Sequence, residues 1–95
     1  MRNYETMFVL HPDLDEEQTQ ASIDKYSAII TGGGGEVTKV EIWGKRRLAY
    51  EVKKLREGIY VLCHFSAGAD LPLELERNFK ISDDVIRYLI VREGE

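Results

Sequence analysis

Arg2-Asn3-Tyr4-Glu5-Thr6-Met7-Phe8-Val9-Leu10, followed at once by His11-Pro12-Asp13-Leu14-Asp15-Glu16-Glu17-Gln18, is the stretch from which the fold is read. Thr6, Phe8 and Leu10 alternate with Glu5, Met7 and Val9, the two-residue period of a strand with one face toward a core. His11-Pro12-Asp13 ends that strand. Asp15 stands as a helix N-cap with Gln18 three residues on, the spacing of a capping box, and Glu16 and Glu17 suit the positive end of a helix dipole. Ile23, Tyr26 and Ile30 then recur at offsets of three and four, the apolar stripe of a helix. Strand, turn and helix of this kind, met once more later in the chain, make a split β-α-β architecture.

Gly32-Gly33-Gly34-Gly35 closes the first helix and permits a turn at positive φ. Glu36 to Val52 reads as a long strand with Val40 and Ile42 on one face, and Gly44 inside it predicts a bulge or bend. Leu48, Tyr50 and Val52 resume the alternation. Lys53 to Gly58 reads as a hairpin loop, polar apart from Leu55. Ile59 to Phe65 is dense in strand formers, with Ile59, Val61, Cys63 and Phe65 turned inward. Asp70 is the expected cap of a second helix, Pro72 fits its first turn, and Leu71, Leu75 and Phe79 line its buried face. Ser82-Asp83-Asp84 turns the chain into a last strand, Val85 to Arg92.

The order βαββαβ predicts an α+β, ferredoxin-like fold: a four-stranded antiparallel sheet in the order 4-1-3-2, with two helices on one face. Residues 1–95 are read as one such domain. The other face of the sheet is expected to be open. Met7, Leu62, His64 and Leu89 are assigned to it, and an apolar open face invites a docking partner.

A chain that is 43% hydrophobic and 32% charged has the composition of a globular protein and not of a disordered one. No apolar run approaches the roughly 20 residues that cross a bilayer, so no membrane association is expected. The N-terminus opens into strand sequence without a signal-peptide core, and Cys63 has no partner for a disulfide; a cytoplasmic compartment is the expectation. Net charge is −4, which by itself argues against nucleic acid, but the charges are segregated. Residues 1–38 carry Arg2 and Lys25 against seven acids; residues 57–95 carry four bases against eight. Residues 39–56 hold Lys39, Lys45, Arg46, Arg47, Lys53, Lys54 and Arg56 against only Glu41 and Glu51, a net +5. A positive segment on an acidic body creates a directional field suited to an anionic polymer on one side and a basic protein on the other.

Catalytic and cofactor patterns are missing. The glycines close a helix and precede Glu36, whereas a phosphate loop needs Gly-Lys-Ser/Thr opening one. Cys63 and His64 are neighbours in a strand and point to opposite faces. His11 is read as a turn residue. Asp13, Asp15, Glu16 and Glu17 lack the spacing and central glycine of a calcium loop and are read as capping charges. No catalytic residue, cofactor, metal or small-molecule substrate is expected, and an enzyme is not. Two relatives of the same topology are set aside. Glu57-Gly58-Ile59-Tyr60-Val61 lacks the stacking aromatics of an RNA-recognition motif. His11-Pro12-Asp13-Leu14 is not the glycine-rich loop of an acylphosphatase.

Trp43-Gly44-Lys45-Arg46-Arg47-Leu48-Ala49-Tyr50 is the most specific stretch for binding. Consecutive cations can follow a phosphate backbone, arginine can grip phosphate with two hydrogen bonds, and the two rings can stack on bases. On charge alone, the run fits slightly better as a solvated edge strand that blocks aggregation. Together with Met1-Arg2-Asn3-Tyr4-Glu5 and Phe79-Lys80-Ile81-Ser82-Asp83-Asp84-Val85-Ile86-Arg87-Tyr88, however, it resembles the bacterial small-subunit ribosomal protein number six family over essentially the whole chain. That resemblance implies the βαββαβ fold. It also implies a structural role in the small ribosomal subunit, bound to the central domain of 16S ribosomal RNA together with small-subunit protein number eighteen, a small basic protein, as a heterodimer. By the same analogy Arg2, Lys45, Arg46, Arg47, Tyr50, Arg87 and Arg92 become candidates for RNA or partner contact. The open sheet face and an edge strand become candidates for the protein interface. Roles of the longer C-terminal tails found in some members are not carried over.

Overall fold

The computed structural model describes residues 1–94. Strand β1 (Arg2–Leu10) leads into helix α1 (Glu16–Gly32); strands β2 (Glu36–Val52) and β3 (Leu55–Ala67) form a long hairpin; helix α2 (Leu71–Ile81) precedes strand β4 (Val85–Arg92). All neighbouring strands are antiparallel, in the order β2-β3-β1-β4, as the sequence predicts, with β2 and β4 at the edges.

The two helices begin differently. Asp15 is extended (φ −80°, ψ 179°), its carboxylate accepts the Gln18 N–H at 2.8 Å, and the Gln18 side chain accepts the Asp15 N–H at 3.0 Å. That is the reciprocal capping box that the sequence spells. Just before it, His11 Nδ1 accepts the Asp13 N–H at 3.1 Å, so the imidazole does hold the turn. Asp70 does not cap as expected: it is already helical in backbone (φ −82°, ψ −20°) and its side chain makes no capping bond. A side chain reaches the free N–H groups of the first turn only from an extended backbone. Here the Leu71 N–H bonds to the Gly68 carbonyl instead, at 3.2 Å, and Pro72 occupies the first turn.

Both helices pack on one face of the sheet. Tyr4, Phe8 and Leu10 of β1 and Ile59, Val61, Cys63 and Phe65 of β3 are buried beneath Ile23, Tyr26 and Ile30 of α1 and Leu71, Leu75 and Phe79 of α2. Phe8, Tyr26 and Phe79 form a ring cluster with centroids 4.7–5.3 Å apart in tilted or edge-on arrangement, the geometry that aromatic quadrupoles favour. Thr6 is buried among them, and its hydroxyl donates to the Leu89 carbonyl at 2.9 Å, which satisfies the polar atom.

The β2–β3 hairpin departs from expectation at its turn. Lys53 and Lys54 alone make it, at φ +52° and +65°, and β3 begins at Leu55 and not beyond Gly58. A two-residue turn with both φ positive matches the right-handed twist of the strands, but it is normally marked by Asn-Gly or Asp-Gly. Two lysines give no such signal.

Gly44 does mark a bulge, at φ +83°. Ile42 lies opposite Val61, yet Gly44 lies opposite Tyr60 and Lys45 opposite Ile59. One extra residue on β2 inverts the alternation. Leu48 therefore falls on the face away from the helices, unlike Val40 and Ile42. There it is buried against Val9 and Ile86, with Val52, Leu55 and Tyr60 half-buried around them. The open face thus carries a small core of its own at one end. Leu62, assigned to exposed sheet, is also buried between its neighbours on β1 and β2; Met7 and His64 are half-buried, and of the four only Leu89 is exposed.

Candidate nucleic-acid interface

The distal half of the hairpin, from Trp43 to Arg56, is an arm laid over the end of the open face. Leu48 anchors it, and Gly58 allows the approach. A Cβ at Gly58 would overlap Val9 Cγ1 and come within 3.1 Å of Ile86 Cδ1 and 3.2 Å of the Leu10 carbonyl. The arm carries most of the positive segment. Lys45, Arg46, Arg47, Lys53 and Lys54 are exposed and enter no ion pair among the described residues, whereas Arg56 lies 3.9 Å from Glu51 and Lys39 lies 3.4 Å from Glu41.

The seven candidate residues separate into two groups. Arg87 on β4 sits over the Tyr50 ring, its guanidinium carbon 4.9 Å from the centroid, and Arg46 sits over Trp43 at 5.3 Å. Guanidinium on an aromatic face is mutually stabilising, and it leaves the guanidinium edge donors for other acceptors. Tyr50 remains 62% exposed. Lys45 and Arg47 lie opposite Ile59 and Glu57, on the other side of the ribbon from Arg46, so the three consecutive cations do not form one row. These five residues, Lys45, Arg46, Arg47, Tyr50 and Arg87, share one end of the molecule. Arg2 and Arg92 lie at the opposite end of the sheet, Arg2 opposite Ala67 and Arg92 opposite Tyr4. The length of β1, roughly 27 Å, separates them from the arm.

Sequence reasoning passed over two cations that the fold adds. Lys53 at the hairpin turn, Lys80 of α2 and Arg87 line one groove of about 300 Å³ with Ile86 and Tyr88. Lys53 was legible as part of the basic segment. Lys80 had no local signal, because only the packing of α2 beside β4 brings it there.

On the helix side of the arm the chemistry reverses. A groove of about 1140 Å³ runs between the start of α1 and the bent part of the hairpin. Asp15, Glu16, Glu17 and Asp24 line it together with Lys45, with Leu14, Ile42 and Ile59 as apolar surface. It adjoins the edge strand β2, where Val40, Ile42 and Trp43 are exposed. The one thiol is remote from both grooves. Cys63 lies in the core, where burial pushes its pKa up to about 11, so it is no nucleophile near neutral pH. Burial likewise raises the Tyr26 hydroxyl, against the opposing effect of a hydrogen bond with Ser82. No helix of the described residues is long and apolar enough to cross a membrane.

The family model described as Ribosomal protein S6 matches residues 3–92. The chain belongs to the ribosomal protein S6 family. Curated relatives agree in length as well as in sequence. The small ribosomal subunit protein bS6 of Moorella thermoacetica is 58% identical over 95 residues, covering 100% of this chain and 97% of its own. That of Clostridium acetobutylicum is 55% identical over 91 residues, 96% of each chain. The crystal structure of 30S ribosomal protein S6 from Thermotoga maritima superposes with a TM-score of 0.91 at 33% identity, covering 97% of this chain and 87% of that one. As a member of the S6 family, the chain is a structural constituent of the small ribosomal subunit and not an enzyme.

Proposed function

We propose that the chain, acting as one domain, binds the central domain of 16S ribosomal RNA through its arm. We further propose that it does so jointly with small-subunit ribosomal protein number eighteen, as a heterodimer. The observation that carries the RNA reading is the convergence of Arg46, Trp43, Tyr50, Arg87, Lys53 and Lys80 on one end of a protein that is acidic elsewhere. Arginines stacked on half-exposed rings offer phosphate two hydrogen bonds and offer bases a flat surface, two requirements of single-stranded or looped RNA. Lys45 and Arg47 extend the positive surface around the ribbon. Arg2 and Arg92 are assigned to a separate contact at the other end of the sheet, because no single short RNA element spans both positions with the same face.

For the basic protein partner, the acidic groove beside β2 is favoured over the open sheet face. It combines four carboxylates with exposed apolar side chains on an edge strand, the chemistry that accepts a cationic amphipathic segment and can add main-chain hydrogen bonds.

The test is binding to central-domain RNA, with and without the partner protein, across a salt series. Affinity is expected to be weak for the chain alone, to rise sharply with the partner, and to fall as salt rises. Arg46→Ala with Arg47→Ala is expected to weaken assembly and lower the log–log salt slope by about one to two, while thermal unfolding stays unchanged. Unaltered assembly in that double variant would remove the arm from the RNA contact. Glu16→Lys with Glu17→Lys is expected to reduce partner binding in the absence of RNA; full retention would move the partner to the open sheet face.

A further inference from the structure

We propose that Glu5, His64 and Glu93 form a binding site for one divalent transition-metal ion of the zinc type on the open face of the sheet. The three residues come from three places in the chain that only the sheet brings together. Glu5 of β1 and His64 of β3 are directly opposed partners, and Glu93 follows the last residue of β4. The Glu93 backbone N–H donates to the Asn3 carbonyl at 2.9 Å, which fixes this end of the chain beside β1. Each of the three offers one donor atom, and these atoms lie within 4.8 Å of one another.

The distances suit an ion. His64 Nδ1 stands 2.7 Å from Glu93 Oε1 and 4.0 Å from Glu5 Oε2. Two ligands held at about 2.0–2.2 Å from one metal stand roughly 3.0–3.5 Å apart, so the observed separations bracket that value and side-chain rotation closes the difference. All three side chains are half-buried, with 25% of His64, 38% of Glu5 and 35% of Glu93 accessible. The ligands are thus partly ordered by the sheet, while solvent reaches the remaining coordination positions. Two carboxylates face one imidazole. Lys39, opposite His64, is paired with Glu41 at 3.4 Å. Two carboxylates beside one imidazole make a donor set that suits a cation.

Ligand type selects which cation. An imidazole nitrogen with two carboxylates suits zinc and its first-row neighbours, whereas magnesium and calcium prefer sites built of oxygen alone. The ion takes the place of the hydrogen bond between His64 and Glu93. It joins β1, β3 and the segment after β4, which are far apart in sequence, and so stabilises the folded chain in proportion to its free concentration. The site lies about 17 Å along β1 from the end that carries the arm, so it stands or falls independently of the RNA reading.

Calorimetric titration of the full chain with zinc chloride tests it, with cobalt(II) as a spectroscopic probe. One ion per chain is expected, with a visible cobalt absorption of a low-coordinate nitrogen–oxygen site and a zinc-dependent rise in Tm. His64→Ala and Glu93→Gln are each expected to weaken zinc binding at least tenfold and abolish the Tm rise. His11→Ala, the other histidine beside an acid, is expected to leave both unchanged. Glu93 lies beyond β4, so Glu93→Gln keeps the fold intact if His64→Ala does not. Absence of saturable one-to-one binding in the unaltered chain overturns the site, as does binding that survives both ligand variants or is lost only with His11→Ala.

Discussion

The two faces of the sheet are built to different standards. On the helix side, fifteen buried residues drawn from every element except β2 form one continuous core, with an aromatic cluster at its centre. On the other side, among the described residues, Val9, Leu48 and Ile86 form a small buried cluster that holds the arm, with Leu62 buried apart from it. The first core ties long-range elements to one another, so its loss is global. The second fastens the distal half of the β2–β3 hairpin. The proposed binding surface is thereby mounted on a part of the molecule that can loosen or be altered without dissolving the rest.

The largest expected effect is on the helix side. Phe79→Ala removes the ring that touches Phe8, Tyr26 and Tyr88, and a loss of about 3–5 kcal/mol is expected in denaturant unfolding, with every probe moving together. Leu48→Ala sharpens the contrast. A loss near the lower end of the aliphatic range, about 2 kcal/mol, is expected, because the cluster is small and bordered by solvent. Native-state hydrogen exchange should show faster opening of residues 45–57 with β1 and α2 still protected. Equal loss of protection in both regions would break the distinction. Gly58→Ala forces a methyl against Val9 and Ile86 and is expected to cost about 1–3 kcal/mol. It should also displace Arg46 and Tyr50 enough to be seen in their chemical shifts. The smallest effect is expected at the turn: Lys53→Asn with Lys54→Gly relieves two left-handed lysines and should stabilise the hairpin by less than about 1 kcal/mol. It also deletes two cations, so a stability gain accompanied by weaker RNA binding would separate the folding role of the turn from its charge.

The contrast between the faces also explains what could be read from the chain. The alternation of Thr6, Phe8 and Leu10, the capping box of Asp15 and Gln18, and the stripes Ile23-Tyr26-Ile30 and Leu71-Leu75-Phe79 are local patterns whose burial side is set by one large core. The structure keeps them all. Expectation failed where local signal and geometry part company. Asp70 has the right residue type for a cap but a helical backbone, and Lys53-Lys54 has the right geometry for a tight turn but the wrong residues.

The sequence by itself determined the order of the strands and helices, the extent of all of them but β3, the sheet order, the place of the bulge at Gly44, and the segregation of positive charge into residues 39–56. These follow from periodicity, capping and composition, which act over a few residues. Only the tertiary structure decided that Leu48 turns away from Ile42, that Tyr50 meets Arg87, that Lys80 joins Lys53, and that Arg2 and Arg92 stand at the far end from the arm. It alone brought Glu5, His64 and Glu93 together. The physical reason is register. A single inserted residue reverses which side of a strand faces the core, and which side chains become neighbours across a sheet depends on pairings between segments that no local pattern encodes.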